Sequence, residues 1–254
     1  MLKAYADLCR GPANYGFTEG DIGPSESGEL WYCWFPRDPV YTPVDGLDEL
    51  ALRELRSTVD CLANQWQLPI VFKNLYCSMR LGPLSRAFPQ ARFIWTRRNP
   101  VYGAQSLLQM RRQCLGSDTR WASLKPREYE SLRHLTPAEQ VVAQIFYIER
   151  QINKDLRRFF AQDQWREVDY DSFCRSPRET LNSISGWLER DRISLGPRGE
   201  VPQSFDAKSV RTTSPEEFDR LRQWVTKYFG ETGMATEREQ TIFGADGPRS
   251  RDRE

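Results

Sequence analysis

Apolar residues recur along this chain at two spacings, and the switch between them marks its elements. Leu47, Leu50, Leu52, Leu55, Val59 and Leu62 follow a 3.6-residue turn and predict an amphipathic helix over 47–66. Residues 91–96 behave differently. Phe93, Ile94 and Trp95 stand in succession, as in a strand of a parallel sheet covered on both faces. Residues 68–74, LPIVFKN, read as a second strand, and 165–170 as a short third one. Strand followed by helix, twice over 68–112, predicts an α/β fold with a parallel β-sheet flanked by helices.

Three helix starts share one chemistry: Thr136-Pro-Ala-Glu139, Ser176-Pro-Arg-Glu179 and Ser214-Pro-Glu-Glu217. Each offers a hydroxyl cap, Pro at the first helical position and Glu at the third, the pattern of a capping box. They predict helices near 137–161, 177–190 and 215–229. Residues 1–45, rich in Gly, Pro and aromatics, read as an irregular substrate-side region. Residues 112–135 are polar and read as a loop or a short broken helix. Residues 236–254 carry many charges and few apolar side chains, which predicts disorder. The expected organisation is one domain over 1–235 and a charged tail over 236–254. The sequence has no internal repeat.

Composition narrows the function classes. The chain has 254 residues, of which 39% are hydrophobic and 8 are Trp, enough for one α/β core. With 36 basic and 35 acidic residues, it lacks the one-sided basic surplus of a nucleic-acid binder. No apolar run approaches the length of a membrane span. Its 6 cysteines are scattered without CxxC spacing beside a single His, so no zinc site is expected. Reduced thiols in a cytoplasmic protein account for them.

The chemistry concentrates in 91–113, ARFIWTRRNPVYGAQSLLQMRRQ. A strand runs into Arg97 and Arg98, then Asn99 as a helix cap and Pro100 at the first helical position. In open α/β sheets, ligands bind in the crevice beyond the carboxyl ends of strands. Guanidiniums beside a helix N-terminus make an anion site there. A solvated basic turn is the alternative. Neighbours in an extended segment point oppositely, so one of the two arginines is expected to be structural.

The same stretch resembles the 3′-phosphate-binding segment of the sulfotransferase family, whose donor is 3′-phosphoadenosine 5′-phosphosulfate (PAPS). The family's pattern is a strand, an Arg, Asp or Asn followed by Pro, and a Ser eight residues after the Arg. Arg98, Asn99, Pro100 and Ser106 fall on it. Residues 68–74 look like the family's strand ending in Lys, and 88–93 like its Phe-Pro-x-Ala-Arg-Phe step. Residues 165–188 are similar to its late strand, its Tyr-Glu/Asp turn and the helix after a Pro.

The resemblance implies a P-loop-NTPase-like sulfotransferase fold and transfer of a sulfuryl group from PAPS to a hydroxyl or amine acceptor. It implies Arg98 and Ser106 as the cofactor-binding pair and Lys73 as the cation on the transferring group. Arg97 then becomes the structural arginine. Tyr170 and Asp171 serve equally well as turn residues or ligand contacts. Many relatives use a His shortly after the Lys as base, whereas NLYCSMRL after Lys73 has none, and His134 reads as a loop residue. Others use a Glu. Glu26 and Glu29 lie beside Trp31, Tyr32 and Trp34, where desolvation would raise a carboxyl pKa, and Glu29 becomes the candidate base. A solvated loop carboxylate is the alternative.

The family's 5′-phosphosulfate loop, a strand followed by a Gly/Ser/Thr-rich turn with Lys or Arg, has no counterpart in MLKAYADLCRGPANYGF. The expectation is a sulfotransferase fold missing its first βα unit, with slow or absent turnover. A non-catalytic binding or scaffold module, or a truncated gene product, is the other reading.

Overall fold

The computed structural model describes residues 28–67, 69–193, 195 and 199–230. The expectations for the opening segment, including Glu26 and the missing βα unit, and for the charged tail lie outside the described residues. In chain order the elements are α1 (Gly28–Trp31), α2 (Glu49–Trp66), α3 (Leu81–Ala87), β1 (Phe93–Arg97), α4 (Pro100–Leu115) and α5 (Tyr129–Leu132). Then follow α6 (Pro137–Phe159), β2 (Trp165–Asp169), α7 (Tyr170–Arg175), α8 (Pro177–Glu189) and α9 (Pro215–Phe229).

The fold is a helix-rich α/β arrangement around a small parallel sheet. β1 and β2 pair in parallel, with Phe93 opposite Trp165 and Arg97 opposite Asp169. Phe93 and Trp95 turn toward a core built with α6, where Ile152 and Leu156 are buried and Phe93 meets Phe160 at 4.4 Å. α4, α6 and α9 pack together through Val101, Leu108, Val141, Val142, Leu221 and Val225. α2 and α3 bury Leu52, Leu55 and Leu84 against Trp31 and Phe35.

Residues 69–74 run without regular structure, so the strand expected there is not formed. A strand exists through its neighbour's hydrogen bonds, and the sheet ladder joins only β1 and β2 among the described residues. Val71, which a central strand would bury, is 82% exposed. On β1 the outer residues Ile94 and Thr96 are likewise exposed.

Helix starts follow the sequence closely, but their caps differ. α2 begins at Glu49 rather than Leu47, capped by Asp48, whose carboxylate accepts the Ala51 N–H at 2.8 Å. Asn99 caps α4 by accepting the Val101 N–H at 3.0 Å. Gly116 ends α4 in the left-handed region (φ 64°), a conformation glycine adopts without strain. Ser214 accepts the Glu217 N–H at 3.2 Å, but the expected hydroxyl caps at Thr136 and Ser176 are not made. Ser176 also ends α7, donating its own N–H to Ser172, and its backbone leaves the extended region that aims a capping hydroxyl. The third-position glutamates Glu139 and Glu217 reach neighbouring helices: Glu139 pairs with Lys227 of α9 and Glu217 with Arg112 of α4.

Candidate functional site

β1 ends by sending two arginines to opposite sides, as alternation in an extended chain requires. Arg97 is tied down: its guanidinium pairs at 2.9 Å with Glu149 of α6 and at 2.9 Å with Glu167 of β2. Burial pushes the Glu149 carboxyl up despite that partner. Arg98 takes the other side. Its guanidinium lies 4.8 Å from the Tyr170 ring centroid, and Nη2 donates to the Lys208 carbonyl. Nε of Arg98 is buried and has no hydrogen-bond partner.

Lys208 begins a strap, residues 208–213, that sequence reading left unassigned. It has no helical or strand pattern, and its only signal is composition: Lys208, Arg211 and several hydroxyls in one short polar run. The strap is held by side chains. The Lys208 N–H donates to the Tyr170 hydroxyl at 3.2 Å, and the Ser209 hydroxyl donates to Asp171 at 2.5 Å. Gln105 of α4 bonds both Val210 and Thr212, and Gln109 donates to the Thr212 hydroxyl at 2.8 Å. Ser106 follows Gln105 along α4. Its hydroxyl makes no hydrogen bond among the described residues. Arg98 thus meets the strap just before the N-terminus of α4, whose first N–H groups carry partial positive charge, and Ser106 lies in the N-terminal half of that helix.

Glu29 and Lys73 belong to a different cluster. Trp31 of α1 meets Phe72 edge-on at 5.0 Å, and Tyr32 meets Tyr76 at 6.1 Å. These two contacts hold the segment bearing Lys73 against the one bearing Glu29. Asn74 accepts the Cys77 N–H at 3.0 Å and starts the 3-10 turn Tyr76–Met79. Lys73 is exposed. Glu29 is not the desolvated carboxylate that its aromatic neighbours suggest. Its side chain is 46% exposed and Arg37 grips both oxygens, at 2.7 and 3.0 Å. The glutamate lies on the open side of α1 while Trp31 takes the buried side, because the two residues are not on one helical face. His134 is exposed in the turn between α5 and α6.

An open cleft of about 480 Å³ lies beyond the strap, between α4 and α9, and includes Gln109, Arg112, Thr213 and Glu217. Of its two arginines, Arg112 pairs with Glu217 at 2.6 Å and Asp118 at 3.4 Å, and Arg220 donates to the Glu216 carbonyl at 3.3 Å. Among the described residues no cluster of His, Cys, Asp and Glu is arranged to hold a metal, and no helix is long and apolar enough to cross a membrane.

β1 thus ends in a strand-end arginine and a capped helix carrying Ser106, with a basic strap bonded to the arginine. The sequence model described as the sulfotransferase family matches residues 22–193. No curated protein and no solved structure matches the chain.

Proposed function

Because the chain belongs to the sulfotransferase family, we propose that it moves a sulfuryl group from PAPS to a hydroxyl or amine acceptor. The observation that carries this reading is the half-buried Arg98, whose Nε has no partner, just before a helix that carries the unbonded hydroxyl of Ser106. A buried donor without an acceptor costs about 1–3 kcal/mol, and a phosphate oxygen would remove that cost. Arg98 and Ser106 take the 3′-phosphate. Lys208 and Arg211 on the strap add positive charge around it.

Bound, the nucleotide supplies an activated sulfuryl group. Lys73 stands for the fixed cation that offsets charge developing as the sulfur–oxygen bond to the 5′-phosphate breaks. The acceptor oxygen or nitrogen forms the new bond to sulfur and gives up its proton. Glu29 receives that proton, which requires its carboxylate to exchange Arg37 for the acceptor. Aromatic side chains around α1 line the acceptor side. Most of the rate enhancement comes from positioning and charge stabilisation rather than from covalent chemistry on the protein.

Transfer of labelled sulfate from PAPS to a panel of hydroxyl and amine acceptors tests the reading. Lys73→Ala should lower kcat by about a hundredfold while nucleotide binding stays near the parent value. Tight nucleotide binding without transfer to any acceptor would instead favour a binding module.

A further inference from the structure

Gln105 is the most deeply buried of the side chains that hold the strap, with 3% of its surface exposed. Its Nε2 donates to the Val210 carbonyl at 2.9 Å. Its Oε1 accepts the Thr212 N–H at 2.9 Å and the Thr213 hydroxyl at 3.3 Å. A carbonyl and the N–H two residues later are what a neighbouring strand would engage, so the amide of Gln105 stands in for a peptide unit. The alternative amide orientation would aim NH2 at the Thr212 N–H, so the network fixes which atom is which.

Besides Gln105, this stretch is held by the Tyr170, Asp171 and Gln109 bonds. Val210 is 55% exposed, and Lys208, Arg211 and Thr212 are exposed as well. No apolar burial locks the strap, and its position depends on polar bonds. That position matters one residue away. Ser106 follows Gln105 directly, and the Lys208 carbonyl at the strap's start holds Arg98 Nη2. A strap released from Gln105 would leave the Lys208 carbonyl set by Tyr170 and Asp171 alone at that end, and would loosen the orientation of Arg98.

We propose that Gln105 is the positioning residue of the anion site, fixing the strap so that Arg98 and Ser106 face the same phosphate. This rests on the proposed 3′-phosphate reading of Arg98 and Ser106. Gln105 itself touches no ligand; it acts through the strap.

The test compares adenosine 3′,5′-bisphosphate with adenosine 5′-monophosphate by calorimetry, and follows exchange of the Thr212 amide without nucleotide. Gln105→Met keeps the buried volume, and the strap groups it leaves unpaired can turn to water, so the variant should fold. Gln105→Ala is the second variant. With one to two net hydrogen bonds lost, the preference for the 3′-phosphate should drop by about fivefold to tenfold. Thr212 should exchange faster in the same variants. A parent protein without any preference overturns the phosphate site and this role with it. A parent with the preference, and variants that keep it although Thr212 is deprotected, overturn the positioning role alone. Lost preference with Thr212 still protected overturns it too, since the strap has then not moved.

Discussion

Arg98 and Arg111 stand at opposite ends of α4, and each rests against an aromatic ring, Tyr170 at 4.8 Å and Trp121 at 5.0 Å. Each also has an Nε without a hydrogen-bond partner. An unpaired nitrogen therefore does not by itself mark a binding residue. The two differ in what surrounds them. Arg111 is sealed, with no exposed surface, and the amide oxygens of Gln140 and Gln144 and the Asp118 carbonyl converge on it. Burial without a carboxylate in contact draws its guanidinium down to about 10. Gln140 and Gln144 pass the connection on to the backbone of Leu132, Ala122 and Leu124, so the arginine pins the segment after α4 to the core. Arg98 is half-buried and bonded to one carbonyl of an exposed strap. One arginine is closed by the fold, and the other is not.

Truncation should separate the two. Arg111→Ala strands two buried glutamine oxygens and opens a hole, which should cost about 3–5 kcal/mol in a denaturant titration. Arg111→Met should be milder, because an apolar side chain of similar reach fills the space.

Carboxylates extend the comparison. Asp155 on α6 is 2% exposed with Oδ2 unpartnered, whereas Glu29 is open and paired with Arg37. Gln151, Lys154 and Arg158 of the same helix, and Arg127 and Tyr41 from outside it, surround Asp155. Burial pushes its carboxyl above the usual range and outweighs the nearby cations. The folded protein then holds this proton more tightly than the unfolded chain does. Its contribution is fully present below the unfolded value and is lost as pH rises through the folded one. Asp155→Asn should flatten that fall, so the variant should gain stability on the parent as pH rises from 4 to 8, read as thermal midpoints across a pH series.

Hydroxyls give the smallest effect. Ser214→Ala removes a cap bond and should cost about 1 kcal/mol. Thr136→Ala and Ser176→Ala, whose hydroxyls cap nothing, should stay within about 0.5 kcal/mol of the parent. Equal losses at all three positions would mean that the caps act alike in solution.

The sequence made the helices legible because apolar spacing and Pro at the first position are local signals. The expected 215–229 is the observed α9, and the starts at Pro137 and Pro177 agree. Caps were less legible, since Glu139 and Glu217 answer to partners on other helices that no local pattern contains. The segment 69–74 carries a strand's composition but not its neighbour, and pairing is not written in one segment alone. The site divides the same way. Alternation told Arg97 and Arg98 apart in direction, and family spacing pointed to Ser106. The strap and Gln105 stayed hidden because their contacts span more than 100 residues of chain. Glu29 beside aromatics suggested desolvation, but its helix face and Arg37 place it in solvent.

Calorimetric titration of adenosine 3′,5′-bisphosphate into the parent and Arg98→Ala proteins, at equal ionic strength, tests the central claim most directly. A charge-assisted contact worth about 1.5–3 kcal/mol should make Arg98→Ala bind at least tenfold more weakly, with its thermal midpoint little changed. Adenosine 5′-monophosphate should bind both proteins alike. Equal affinity of the two proteins for the bisphosphate would contradict the account and return Arg98 to the class of structural arginines with Arg111.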